Sequence, residues 1–266
     1  MLNKLIKYEL KATGRNILPL YSGLIAISII LRILYSNFSL PNNNLSHLAI
    51  VISIFIYGFI MAAVFVATFF IIVQRFYKNL LGDEGYLMHT LPLMPSKNIL
   101  SKLITSSLWS IVSCIIALVS IFILIVNKDF IDVFFYNILP GIKNIFEHFG
   151  SIAYIVSLEI LILGILQLIQ SILKLYTSIS IGHLFNKSKI PLSIVAFIAL
   201  VTLEGFITSI FYFNLDSIFE SFAFSSDNSI YGFNLLFTIT IGLKAIYSAA
   251  YFFITNYILK NKLNLE

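Results

Sequence analysis

"LAIVISIFIYGFIMAAVFVATFFIIV", residues 48–73, contains no charged side chain. A helix rises about 1.5 Å per residue and the hydrocarbon core of a bilayer is roughly 30 Å thick, so about 20 apolar residues cross it. This stretch exceeds that length, which implies tilt or protrusion beyond the bilayer. Outward from it lie five more segments of the same kind: Ile17–Tyr35 before it, then Ile104–Val126, Ser151–Leu173, Leu192–Phe213 and Phe233–Leu259. The last is also longer than needed. The first follows a basic stretch, as in a secretory leader. It runs on for a full span with no small-residue cleavage site after it, so it is read as a retained helix.

Composition points the same way. Of 266 residues, 59% are hydrophobic and only 11% charged, where a soluble domain carries about a quarter. Twelve acids and seventeen bases cannot coat a soluble surface of this size. The solvent is mostly lipid, and the expected fold class is an all-α integral membrane protein with six transmembrane helices. The net charge of +5 is therefore read by position, not as a sign of nucleic acid. With the N-terminus on the cytoplasmic side, the inner segments hold Lys4, Lys7, Lys11, Arg15, Arg75, Lys78, Lys97, Lys102, Lys174, Lys187, Lys189, Lys260 and Lys262. The outer side holds Lys128 and Lys143, with Arg32 near the outer end of the first span. That bias predicts both termini on the cytoplasmic side, and the resemblance described below implies that the membrane is the bacterial cytoplasmic one. The outer segments carry Asp129, Asp132, Glu147, Asp216, Glu220 and Asp227 instead.

Residues 1–16 are expected to form a separate interfacial elbow helix. At 100° per residue Lys4, Lys7, Lys11 and Arg15 share one face, and Leu2, Leu5, Ile6 and Leu10 lie on the other; the basic side suits anionic headgroups. Glu9 falls within the apolar face, so it is either paired inside protein or solvated where the helix leaves the membrane. Between spans three and four, Asn127–Gly150 predicts short interfacial or re-entrant helices broken at Pro140-Gly141. The connection 214–232 is shorter, rich in Phe, Ser and Asp.

Catalytic signatures are missing. There is no G-x-x-x-x-G-K-[ST] loop, no H-E-x-x-H and no G-x-S-x-G, so no ATP-binding or hydrolytic site is expected in this chain. His47, His89, His148 and His183 are scattered, each expected to be solvated or interfacial, and no metal site is assigned. Cys114 lies inside an apolar run, where the expectation is a small buried hydrophobe. Three ionisable residues sit at membrane depth: Glu159, Glu204 and Lys244. Such charges face protein or water. Glu204 and Lys244 lie near the middle of consecutive antiparallel spans, which predicts an ion pair. Whether the three are interhelical ties or line a route is open at this level.

The inward segment between spans two and three, residues 74–102, reads "QRFYKNLLGDEGYLMHTLPLMPSKNILSK". Span two is expected to run on as a helix to Gly82. Gly82 and Gly85 then permit turns. Asp83 and Glu84 charge the start of a short helix, Tyr86–Thr90, which Pro92 ends. Pro95-Ser96 opens the next helix, with Ser96 its expected N-cap. Tyr86, Leu87, Met88 and Leu91 supply apolar knobs that either dock on a soluble partner or dip back into the interface.

The stretches KLIKYELKATGR (4–15), RFYKNLLGDEGYLMHTLP (75–92) and SKLITSSLW (101–109) resemble permeases of the ABC-2 type, the type V exporter fold, found widely in clostridia and other Firmicutes. The likeness is strongest in the N-terminal third. It implies a single transmembrane domain over residues 1–266, an elbow helix before six spans, and a dimer of two permease subunits. It further implies a coupling helix at Gly82–Pro92 docked on a separate ABC-type ATPase subunit, with ATP and Mg held there. The loop His183–Pro191 would be a second, smaller contact. Similarity to phenol-soluble-modulin exporters and lantibiotic-immunity transporters implies amphipathic cytolytic or antimicrobial peptides as cargo. Drugs, lipids or ions are the alternative cargo. A non-transporting membrane anchor or regulatory protein, or an intramembrane enzyme, is the alternative class.

Overall fold

The structure, a computed structural model, describes residues 2–37, 44–82, 85, 94–185, 188–223 and 229–262. Helices α1 (Leu2–Asn37), α2 (Asn44–Phe76), α3 (Pro95–Ile125), α4 (Lys128–Val133), α5 (Leu139–Phe149), α6 (Ser151–Gly182), α7 (Lys189–Ala223) and α8 (Ser229–Asn261) follow in order. Two π-helical turns, Tyr77–Leu81 and Phe134–Ile138, continue α2 and α4. No strand occurs among the described residues. Six helices contain segments long and apolar enough to cross a membrane: Leu2–Leu34, Val51–Leu81, Pro95–Ile125, Ser151–Gly182, Lys189–Phe213 and Gly232–Asn261. Each expected span overlaps one of them.

The solvent is visible in which side chains face out. Phe55, Phe59, Leu161, Phe206 and Phe253 are all more than 60% exposed, whereas Thr13, Ser28, Ser113, Ser120, Gln170 and Thr255 are buried. A water-soluble fold would invert this pattern. In lipid, small polar residues at helix contacts permit close approach and hydrogen bonding while apolar side chains meet acyl chains.

The chain forms two compact units, Met1–Arg75 with Leu100–Tyr136, and Phe76–Ile99 with Asn137–Glu266. In the first, Ile17, Tyr21, Leu24, Tyr57 and Val64 make the apolar core. A polar seam runs along it. Trp109 donates its indole N–H to Thr13 Oγ1 at 2.6 Å. The Tyr21 hydroxyl is 2.5 Å from Ser113 Oγ, which Thr68 approaches at 3.1 Å, and Tyr57 meets Ser120 at 2.6 Å. Gly14 lies close against this seam: a Cβ there would stand 3.2 Å from Trp109 Cζ2. Arg32 donates to the carbonyls of Leu124 and Val126, placing a cation on the orphan acceptors at the end of α3.

No break separates an elbow from the first span: α1 is one helix through Pro19. The reason is a single buried stripe, Glu9, Thr13, Ile17, Tyr21, Leu24 and Ser28, whose steps of four, four, four, three and four residues keep one face on its neighbours. The four bases of the expected basic face are all exposed.

In the second unit, Phe76 and Tyr176 stack face to face, with centroids 3.9 Å apart. Gly182 lies against the start of α7, where a Cβ would meet Lys189 O and Ser193 N, both at 2.7 Å.

Several expectations change. The break foreseen at Pro140-Gly141 does not occur. The π turn Phe134–Ile138 leads straight into α5, and Pro140 is taken into its first turn. The chain turns instead at Gly150, with φ +57°, a conformation that favours glycine. Cys114 is exposed rather than buried, because the inward face of α3 is set by Ser113 and Ala117. Ser96 is no N-cap: α3 begins one residue earlier, at Pro95. α6 runs nine residues past its expected end at Leu173, because Tyr176, Thr177, Ser178 and Ser180 are all packed inside protein.

Candidate functional site

Of the expected docking residues, Asp83, Glu84, Tyr86, Leu87, Met88, Leu91 and Pro92 lie outside the described residues. What leads into them is described. α2 continues past Phe76 in a π turn closed by the Gly82 N–H donating to Tyr77 O at 2.9 Å. Asn79, Leu80 and Leu81 are buried. Gly82 has φ −95° and ψ −162°, an extended conformation open to any residue. Glycine serves there through closeness: a Cβ would sit 3.1 Å from Lys78 O. The Gly85 N–H donates to Gly82 O at 2.8 Å, and Gly85 is buried.

Beside this turn is His183, capping α6. It is buried, its ring 5.0 Å from that of Tyr77, which removes the solvated one of the two expected settings, solvated or interfacial. Neither ring nitrogen has a hydrogen-bond partner among the described residues. Burial, and then the nearby Lys189 ammonium, hold its imidazole below the usual histidine range, since both disfavour the cation.

The densest polar chemistry lies between α6, α7 and α8. Glu204 of α7 is its hub. Lys174 of α6 forms the closer ion pair with Glu204 Oε2, and Lys244 of α8 stands 3.7 Å from Oε1. Gln170 Nε2 donates to Oε1 at 2.7 Å, and the Tyr251 hydroxyl donates to Oε2 at 3.1 Å. A carboxylate out of water needs several such donors. Further contacts extend the seam along the same helices: Thr177 with Thr255 at 3.0 Å, Thr208 with Tyr247 at 3.3 Å, and Tyr212 with Thr240 at 2.6 Å.

The expected pairing of Glu204 with Lys244 thus has a nearer competitor. Lys174, counted among the inner-loop bases, is built into the bundle. Lys102, also counted there, is 2.8 Å from Glu9 Oε1, with both side chains at least nine-tenths buried. Glu9 is therefore the paired acid of the two alternatives. Lys174, Gln170 and Tyr251 escaped the sequence reading, although a signal existed. Polar residues recur at helical spacing within apolar helices: Gln170, Lys174 and Thr177; Glu204, Thr208 and Tyr212; Thr240, Lys244, Tyr247, Tyr251 and Thr255. Each set falls on one face.

Glu159 of α6 does not join this hub. It faces α8, where the Thr238 hydroxyl lies 2.8 Å from Oε1 and Asn234 Nδ2 lies 3.4 Å from Oε2.

Six apolar helices, lipid-type surface and a buried ionic seam define the class: a multi-pass, all-α membrane protein. Against known proteins, no family model, no curated protein and no solved structure matches the chain.

Proposed function

We propose that this chain is the permease subunit of an ATP-driven ABC exporter of the ABC-2 type, moving amphipathic cytolytic or antimicrobial peptides out of the cytoplasmic membrane. The observation that carries the reading is that two long helices flank Gly82–Pro92 in the chain. α2 runs on past Phe76 as a π turn to Leu81, and α3 begins at Pro95. The acidic-aromatic stretch between them is a short connection joining two long helices. A docked motor subunit that moved this knuckle would move both helices as levers. The resemblance of residues 4–15, 75–92 and 101–109 to such permeases supports the same reading.

Charge supports the orientation. By sequence position thirteen inner bases stand against three on the outer side, although Lys102 and Lys174 form internal pairs. That bias favours both termini in the cytoplasm. The exposed Lys4, Lys7, Lys11 and Arg15 would then meet anionic headgroups as an elbow does. Energy enters through an ABC-type ATPase carrying ATP and Mg, and two permease subunits complete the pathway.

The test is co-expression with an ABC-type ATPase, which on this reading should be encoded beside this gene. The two proteins should co-purify, and amphipathic peptides should stimulate ATP hydrolysis. Glu84→Ala or Tyr86→Ala should insert normally yet lose transport. Full transport by both variants, or the absence of such an ATPase, would sink the proposal.

A further inference from the structure

Among the described residues three carboxylates are buried within helical seams, and two of them have a cation. Glu9 has Lys102, and Glu204 has Lys174 and Lys244. Glu159 is 9% exposed, and no basic side chain among the described residues pairs with it. It stands about 12 Å along α6 from the first residue of that helix, within an apolar span. A carboxylate at that depth is costly unless an opposite charge meets it.

Protons at this place fall short as well. Asn234 and Thr238 are four residues apart on α8 and meet Glu159 together. Thr238 Oγ1 is 2.8 Å from Glu159 Oε1 and 2.9 Å from the carbonyl oxygen of Asn234. Its one hydroxyl proton satisfies only one of these acceptors. Donated to Asn234 O, the back-bond a helical threonine commonly makes, it leaves a lone pair of Oγ1 facing a carboxylate oxygen. A positive charge between the two oxygens turns that repulsion into attraction. On the other carboxylate oxygen, Oε2, the Asn234 amide stands at 3.4 Å, too long for a good hydrogen bond. A half turn of that amide presents Oδ1 in place of Nδ2. Charge and proton counts are thus each short by one at the same three side chains.

We propose that Glu159, Thr238 and Asn234 bind one monovalent metal cation of sodium's size between α6 and α8. Oxygens held at about 2.4 Å from a hard cation, with angles of about 70–90° between them, stand roughly 2.8–3.4 Å apart. The two contacts to the carboxylate, 2.8 and 3.4 Å, match that spacing. One carboxylate with neutral oxygens cancels a single charge, whereas a divalent ion would leave a net charge at membrane depth. A larger alkali ion would spread the oxygens further. The site stands apart from the exporter reading, since ion binding to the purified chain needs no ATPase.

The experiment uses the full chain in phosphatidylcholine nanodiscs in choline chloride buffer, with radioactive sodium read by scintillation proximity. Sodium should bind saturably, one ion per chain, with unlabelled sodium competing and choline not. Glu159→Gln should weaken binding by about tenfold or more, the scale of a bond to a charged group. Thr238→Val should weaken it about three- to tenfold, while Thr238→Ser, which keeps the hydroxyl, should bind like the unaltered chain. Glu147→Gln removes an exposed acid on α5 and should change nothing. Should Glu159→Gln fail to fold, the unaltered chain decides. Dicyclohexylcarbodiimide, an apolar carboxyl reagent, should modify Glu159, as located by mass spectrometry, and sodium should protect it where choline at equal ionic strength does not. Absence of saturable sodium binding, equal competition by potassium, binding unchanged in Glu159→Gln, or carbodiimide labelling that sodium leaves untouched, the mark of a proton alone, would overturn the assignment.

Discussion

Glu204 is the residue whose removal should cost most. At an effective dielectric of about 20, unit charges at the 3.7 Å separating Lys244 from Glu204 attract by roughly 4 kcal/mol, and Lys174 is nearer still. The two ammoniums repel each other, so Lys244 contributes much less in net terms. Glu204→Gln deletes both attractions and strands two cations in a weakly screened seam, a loss of about 3–5 kcal/mol. Lys244→Met instead leaves a neutral Lys174–Glu204 pair with its Gln170 and Tyr251 donors intact, and should cost about 1 kcal/mol or less. Removing every charge at once, with Glu204→Gln, Lys174→Met and Lys244→Met together, should recover most of the loss, because neutral replacements of buried ion clusters are often tolerated. The assay is unfolding in mixed micelles by added dodecyl sulfate, followed by far-ultraviolet circular dichroism. Refutation is direct: Lys244→Met as damaging as Glu204→Gln, or a triple variant weaker than Glu204→Gln alone.

Gly182→Ala puts a methyl against Lys189 O and Ser193 N and should destabilise by about 1–3 kcal/mol. Gly141→Ala, with nothing within 4 Å of the new Cβ, should be neutral or stabilise by up to about 1 kcal/mol through helix propensity; thermal melts of both check the contrast. Trp109→Phe loses the 2.6 Å bond to Thr13 and should cost about 0.6 kcal/mol, and no more than about 1.7, by the same dodecyl sulfate titration. For His183, whose folded pKa is lowered, the unfolded chain binds the extra proton first. Stability should therefore fall as pH drops through about 6.5, and level off once pH is below the folded value. His183→Leu should flatten that dependence between about pH 7 and 5.

Hydropathy alone places all six spans, because lipid tolerates only long runs with satisfied backbone, and an uncharged run such as residues 48–73 has no other stable use. Their ends are less legible. α6 extends to Gly182 because Tyr176, Thr177, Ser178 and Ser180 find protein rather than water around them, which no hydropathy window registers. Glu9 shows the same limit: its place on the apolar face marks it as unusual, but nothing local names Lys102, 93 positions away, as its partner.

What the chain order determines by itself is therefore the number of membrane-spanning helices, their lipid-facing character, the basic bias of one side and the rarity of charge within. Tertiary structure decided which charges neutralise one another. Lys174 counts as an inner-loop base until α6 lies against α7, and packing gives Glu204 a second cation besides the expected Lys244 while Glu159 has none among the described residues. The physical reason is range. Helix formation in lipid is set by local hydropathy, whereas the cost of a buried charge depends on atoms within a few ångströms that come from distant parts of the chain.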